Sequence, residues 1–295
     1  MSVSVLVTGA SSGLGLAAST ELAAAGRQVI LGCRSIPRGE AAAESIRASV
    51  PGANVEVLEL DVASLASVRS AAGELAGRPL GALILNAGIQ VVNGTQRSPD
   101  GYELTFATNH LGHFLLTQLL LEQLAEPARI VLVSSGTHYG PPRSGPFPGP
   151  RWASGRALAE GSTLDGSGRS GRIRYATSKL ANIYMVHELA RRLADRDVTV
   201  NAFDPGLMPE TRLARDYSPR LQRLYDRLGG LLVRVVPEAN SAATSGANLA
   251  RLVTGPAQPN GAYVVGRKPR KSSRESYDAE RSAELWRASE QLTNS

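Results

Sequence analysis

Val3-Ser4-Val5-Leu6-Val7-Thr8-Gly9-Ala10-Ser11-Ser12-Gly13-Leu14-Gly15 opens the chain with an apolar run that passes directly into a glycine-rich loop. The run reads as a short buried strand. Beyond the loop, Leu16, Ala17, Leu22 and Ala23 form a helical stripe that ends at Gly26, and Gln28 to Cys33 reads as the next strand. Strand, glycine loop, helix and strand in that order make the glycines informative, because they permit a tight turn and close backbone approach. The helix N-terminus can then meet a pyrophosphate. Gly9, Gly13 and Gly15 follow G-x-x-x-G-x-G spacing, with Ser11, Ser12 and Leu14 as the other loop residues that would face a dinucleotide.

The same alternation continues outward. Helices are expected at 38–50, 65–76 and 102–125, and strands at 55–60, 80–85 and 129–133. This predicts an α/β fold: a Rossmann-type doubly wound parallel sheet of about seven strands, helices on both faces, in one domain over 1–295. Such sheets bind ligands outside the carboxyl ends of their strands. Gly9, Cys33-Arg34, Asp61, Asn86 and Ser135 all fall at those ends. Between His138 and Arg172 the pattern lapses into Gly, Pro, Ser and Arg, which reads as an irregular insertion near the site. A helix from about 173 to 194, a strand at 198–203, a helix at 238–251, a strand at 262–265 and a terminal helix at 276–291 complete the chain. The leucine-rich segment at 207–236 reads equally as a core helix and as a lid over substrate.

Composition narrows the class. A 42% hydrophobic and 20% charged chain of 295 residues is that of a soluble globular protein. No apolar run is long enough to span a bilayer, and no leader pattern opens the sequence, so a cytoplasmic protein is expected. Cys33 is the single cysteine, which excludes an internal disulfide and a cysteine metal cluster. The net charge of +6 lies mostly on dispersed arginine, densest at Arg267, Lys268, Arg270, Lys271 and Arg274, and aromatics are only 5%. That pattern argues against nucleic acid and for a phosphate-bearing ligand. The arginine and alanine bias suggests a bacterial source.

Tyr175-Ala176-Thr177-Ser178-Lys179 carries the chemistry. Spacing of i, i+4 on a helix sets a phenol and an ammonium on one face, and the ammonium favours phenolate, as a general acid–base requires. With eight tyrosines and only Lys179, Lys268 and Lys271 as lysines, chance supplies about 0.08 such pairs.

In this order the motifs resemble the short-chain dehydrogenase/reductase family: Thr8-Gly9-x-x-x-Gly13-x-Gly15, Asp61-Val62, Asn86-Ala87-Gly88, Asn109, Ser135, Tyr175-x-x-x-Lys179 and Pro205-Gly206. The stretches Thr108-Asn109-His110-Leu111-Gly112-His113-Phe114 and Ser178-Lys179-Leu180-Ala181-Asn182 are similar to the retinol dehydrogenase and light-dependent protochlorophyllide reductase branch. The resemblance implies Tyr175 as acid–base and Lys179 as its pKa-lowering partner and ribose ligand. It implies Ser135, the second serine of its pair, as carbonyl orienter, and Asn109 as holder of a proton-relay water. It also implies cofactor contacts from Asp61, Val62, Asn86, Ala87, Gly88, Pro205, Gly206 and Leu207. Taken alone, Ser135 reads as well as a strand-end cap, and Asn109 as a helix-surface amide. His110 and His113 read as packing residues, since a metal pair would lack a third ligand.

An NAD enzyme carries an acidic residue at the end of the second strand; here Cys33 and Arg34 stand there, and a guanidinium suits a 2′-phosphate. NADPH/NADP+ is the expected cofactor and no metal is expected. The light-driven reductases carry a cysteine after the Pro-Gly pair, where this chain has Leu207, and the membrane-bound retinol enzymes carry an apolar anchor. Neither substrate is therefore carried over. The expectation is an NADP(H)-dependent carbonyl reductase or alcohol dehydrogenase acting on a small molecule, bulky or apolar, with no nucleic-acid or membrane partner. The insertion favours a monomer or homodimer over a tetramer. Reduction of an activated C=C or C=N bond, and a non-catalytic NADPH-binding sensor, are the alternatives.

Overall fold

The computed structural model describes residues 3–208 and 240–294. Eight strands form one sheet in the order β3-β2-β1-β4-β5-β6-β7-β8. They are β1 Ser4–Thr8, β2 Gln28–Cys33, β3 Val55–Glu59, β4 Leu80–Leu85, β5 Leu124–Val133, β6 Val198–Asp204, β7 Tyr263–Val265 and β8 Lys268–Arg270. All neighbouring pairs are parallel except β7 and β8. On β1, Leu6 enters one hydrophobic core while Val5 and Val7 enter the other. Burial on both faces is why the strand reads as a continuous apolar run.

Helices cover the two faces. α1 Gly13–Ala24, α2 Ile36–Ser49 and the Ala242–Thr254 helix pack over the core that contains Val5 and Val7. α3 Leu65–Glu74, the Gly112–Leu120 helix and the Gly168–Arg192 helix cover the opposite core. The terminal helix Ala279–Thr293 lies against the Gly168–Arg192 helix, with Trp286 edge-on to Phe114.

Four expectations change. The eighth strand, β8, is a short antiparallel edge joined to β7 by Gly266-Arg267, where Gly266 takes φ 59°. That two-residue hairpin turn demands glycine, but Lys-Pro-Arg has none of the apolar character by which strands are read. The helix expected over 102–125 ends at Leu120, because Leu124 already pairs with Leu80 of the neighbouring strand. Pairing outweighs local propensity there. The helix expected over 238–251 runs from Ala242 to Thr254, with Ser241 capping it.

The insertion is more ordered than its composition suggests. It holds a 3-10 turn at Gly136–Tyr139 and a helix at Gly155–Glu160, and the helix bearing Tyr175 starts at Gly168. Ser167 caps that start by accepting from the Ser170 N–H, and Asp165 Oδ1 accepts from the hydroxyls of Ser167 and Ser170. Those hydrogen bonds hold the Asp165 carboxyl down at about 2 and offset the glycines of the first turn. Of the 207–236 segment, all beyond Met208 lies outside the described residues.

Candidate active site

The glycine loop is built by contact between main chains. Gly9 takes φ 67°, and a Cβ there would stand 2.9 Å from Ala87 Cα. A Cβ on Gly15 would meet the Gly9 carbonyl oxygen at 2.5 Å and Asn86 Nδ2 at 2.6 Å. Only glycine permits this seam between the loop and the end of β4. Asn86 closes it by donating Nδ2 to Thr8 O at 2.8 Å, while the Asn86 and Ala87 N–H groups both donate to Thr8 Oγ1 at 2.9 Å. Thr8 Oγ1 also lies 2.9 Å from His113 Nε2, and His113 Nδ1 lies 3.3 Å from Asn109 O.

The Asn109 carbonyl can only accept, so the imidazole donates to it from Nδ1, and Nε2 is left to take the proton of Thr8 Oγ1. Burial lowers the His113 pKa to about 4, so this neutral form persists. His110 is wholly buried too, bonded to Ser289 at 2.9 Å, with burial lowering its pKa to about 3. Among the described residues no group of three or more His, Cys, Asp or Glu side chains is placed to hold a metal.

Asn109 sits in a π-helical turn, Ala107–Leu111, between the helical turns Leu104–Phe106 and Gly112–Leu120. Single π turns recur where a helix must aim a functional group. Asn109 is fully buried, so it is not a helix-surface amide. Its Oδ1 accepts from the Ile89 N–H at 2.8 Å, and its Nδ2 donates to Ile89 O at 3.0 Å and Ser178 Oγ at 2.9 Å. The amide thus ties the end of β4 to the Gly168–Arg192 helix, beside Gly88, where a Cβ would come 3.3 Å from Asn109 Oδ1 and 3.5 Å from Lys179 Nζ.

Tyr175 and Lys179 lie one turn apart as their spacing requires, both almost wholly buried. Lys179 Nζ is 5.6 Å from the centre of the Tyr175 ring and donates to Val133 O at 2.9 Å. Burial lowers the Lys179 pKa to about 8, against an opposing pull from the Asp204 carboxylate. Val133 ends β5, and Ser134-Ser135 follow it. Ser134 is buried and donates to Lys179 O at 2.9 Å, a structural role. Ser135 stays partly accessible, its oxygen accepting the Thr137 N–H at 3.3 Å. Geometry therefore separates the two serines as the resemblance does.

The remaining expected positions collect at the same sheet edge. Asp61 follows β3 and accepts the Ala63 N–H, with Val62 O against Gly112. Pro205-Gly206-Leu207 follows β6, with Gly206 at φ 78° and its N–H on Asp204 Oδ1. Arg34 is exposed at the end of β2 and enters no ion pair among the described residues. Ser12, before α1, makes no side-chain cap, so the first N–H groups of that helix face the loop. A glycine cradle, an uncapped helix N-terminus and an arginine at the second strand fit a dinucleotide phosphate.

Four contributors escape sequence reading. Burial raises the Cys33 pKa, and the charge of Arg38, in the first turn of α2, is among the influences that oppose it, so a second cation lies near the end of β2. Phe147 lies edge-on to Tyr175 at 6.1 Å between ring centres. Asp204 accepts from Tyr263 Oη at 2.5 Å, and His113 anchors the loop; neither contact leaves a local pattern.

A family model described as short chain dehydrogenase matches residues 3–145. The chloroplastic protochlorophyllide reductase of Cucumis sativus is 34% identical over 98% of this chain and 77% of its own length. Retinol dehydrogenase 13 of Homo sapiens is 32% identical over 98% of this chain and 83% of its own. Among solved structures, an uncharacterised protein from Mycobacterium paratuberculosis aligns with a TM-score of 0.74 at 33% identity, covering 99% of this chain and 94% of that one. A short chain dehydrogenase from Burkholderia cenocepacia, in complex with NADP, aligns at 0.64 with 26% identity over 89% of this chain and 95% of that one.

Proposed function

The chain belongs to the short-chain dehydrogenase family, and from that premise we propose an NADP(H)-dependent carbonyl reductase or alcohol dehydrogenase with Tyr175 as its general acid–base. One observation carries the reading: the Lys179 ammonium is buried between the Val133 carbonyl and the Tyr175 ring, at the strand edge that holds Ser135 and the glycine cradle. A buried charge is costly unless it is used.

When bound, the dinucleotide supplies or takes the hydride. Ser135 offers its hydroxyl to the substrate oxygen and holds the carbonyl in line. Tyr175 gives its proton to the oxygen as negative charge develops there, and Lys179 favours the phenolate left behind. Asn109 fixes the β4 end against the Tyr175 helix, and its amide is committed to Ile89 and Ser178. The loop from Gly9 to Gly15 and the α1 N-terminus hold the pyrophosphate, and Arg34 with Arg38 faces the 2′-phosphate. Asp61, Val62, Asn86, Ala87, Gly88 and Pro205-Gly206-Leu207 line the rest of the cofactor groove.

Phe147 against Tyr175 supports a bulky or apolar substrate. No helix among the described residues is long and apolar enough to cross a membrane. A cytoplasmic, bacterial enzyme working as a monomer or homodimer completes the reading.

A panel of ketones, aldehydes and enones, followed by loss of NADPH absorbance, tests it. Tyr175→Phe lowers turnover about 10³-fold with NADPH still bound, the scale of one general acid. No turnover across the panel with NADPH bound would leave a sensor, and saturated products from enones would move the reading to C=C reduction. Lys179 is charged below about 8 and loses its proton above it. Carbonyl reduction therefore falls as pH rises through 8, in a kcat profile measured on the wild-type enzyme.

A further inference from the structure

His138 stands three residues after Ser135 and is fully buried in the 3-10 turn that Ser135 opens. Its Nδ1 lies 2.7 Å from Ser135 O, and its Nε2 accepts the Ser273 N–H at 3.1 Å. A backbone N–H can only donate, so Nε2 carries the lone pair and Nδ1 the proton. The imidazole therefore donates to the serine carbonyl in a fixed tautomer. Burial lowers its pKa to about 4, which keeps it neutral where a reductase works.

Two tyrosines pack on the ring. Tyr263 meets it edge-on at 4.9 Å between ring centres and Tyr139 lies tilted against it at 4.1 Å, and Tyr139 Oη donates to Lys271 O. Tyr263 Oη in turn donates to Asp204 Oδ2, whose charge acts on Lys179. The segment after β8 and strand β7 thus brace the turn below Ser135 and the carboxylate beside Lys179 together.

We propose that His138 is a positioning residue for Ser135: its Nδ1–H on the Ser135 carbonyl, backed by the Ser273 N–H on Nε2, sets the serine hydroxyl for the substrate oxygen. This rests on the carbonyl-reductase reading above. The Ser135 carbonyl also takes the His138 main-chain N–H at 3.3 Å and the Ser135 hydroxyl oxygen takes the Thr137 N–H at 3.3 Å, both inside the turn; the His138 ring is the side-chain donor that ties this turn to Ser273. Misplacing a catalytic group by about 1 Å lowers the rate of the chemical step by up to about 100-fold.

Three variants separate this from a packing role. His138→Leu fills the space and removes both hydrogen bonds. His138→Asn keeps a donor at the place of Nδ1, and His138→Gln reaches towards Ser273 instead. The expected result is a fall in kcat of about 30-fold for His138→Leu and His138→Gln, within the range for a displaced catalytic group. KM for the carbonyl substrate and the NADPH dissociation constant, read by fluorescence transfer, stay within about threefold. His138→Asn recovers most of the lost kcat. Equal losses in His138→Asn and His138→Leu would overturn the proposal, as would a loss carried in KM or NADPH affinity. If a variant fails to fold, kcat of the two that still bind NADPH decides: His138→Asn no faster than the remaining variant is the refuting outcome. Wild-type turnover abolished by Tyr175→Phe, with no His138 effect, would sink only this inference; absence of wild-type turnover would sink the function itself.

Discussion

Around the glycine loop, backbone meets backbone; around Arg174 and Glu103, side chains span the gaps. At the loop, Gly9 and Gly15 lie against Asn86-Ala87, and Gly112 lies against Val62. Beside the insertion, Arg174 donates to Asp165 O at 2.9 Å and Gly94 O at 2.6 Å, and its Nε lies 3.7 Å from Glu103 Oε1. Glu103 accepts from the Thr105 and Phe106 N–H groups at 3.0 and 2.8 Å. The first kind of contact has no room for a Cβ and marks itself with glycine. The second works with many residue types and leaves no local mark.

The comparison breaks first at Gly112. A Cβ there would fall 1.8 Å from Val62 O, a backbone atom that cannot rotate away. Gly112→Ala should cost about 4 kcal/mol or more, the tail reached when strain falls on main chain. It should also displace Asn109, which lies in the π turn just before. Urea denaturation at unchanged m-value checks the cost. A loss below about 1 kcal/mol would mean that the seam yields as readily as a side-chain network does.

Glu103, whose N–H donates to Ala159 O of the insertion, gives the counterpart. Glu103→Ala leaves the Thr105 and Phe106 N–H groups without their acceptor and removes the charge that faces Arg174, in a site where Glu103 is 1% exposed. The expected loss is about 3 kcal/mol, as for breaking one side of a buried pair. Glu103→Gln keeps one acceptor oxygen and costs about 1 kcal/mol. Burial raises the Glu103 pKa although Arg174 opposes it, so the ion pair does not fully offset desolvation. Both losses are read from thermal melts with NADPH absent. The graded pair is what a side-chain network predicts and a backbone seam does not.

Legibility follows the same division. β1, the glycine loop and Tyr175-Lys179 are readable because each imposes a period or a residue type that nothing else satisfies. Ser135 and Asn109 are placed by the order of motifs, and the structure brings them to the Tyr175 helix through Val133 and Ser178. The insertion defeats pattern reading for a physical reason. Its helix start depends on Asp165 and Ser167, and its docking on Trp152, which meets Tyr184 edge-on at 4.8 Å. The Trp152 contact joins residues remote in sequence, and the Asp165–Ser167 start, though local, is masked by the glycines around it. β8 lies between these cases: Gly266-Arg267 is a readable hairpin turn, yet its outer strand is Lys-Pro-Arg, charged as exposed edges are.

The smallest effect sharpens the comparison most, because it concerns a side chain that the legible half leaves in solvent. Arg34 and Arg38 are exposed beside the buried Cys33, and neither has an ion-pair partner among the described salt bridges. Two unpaired cations at the end of β2 attract a 2′-phosphate and have nothing to offer a ribose hydroxyl that an acidic residue would bind. Arg34→Ala should lower the NADPH-to-NADH ratio in kcat/KM about tenfold, near 1.4 kcal/mol, by losing NADPH affinity. Arg38→Ala should do the same by a smaller factor, and both losses should shrink as salt screens the exposed charges. Neither variant should shift the melting temperature of the free protein, since the guanidinium groups support no ion pair there. A changed melt with an unchanged cofactor ratio would place Arg34 with Glu103, as a residue that holds the fold. An unchanged melt with a changed ratio keeps it where the sequence puts it, as a side chain kept for the ligand alone.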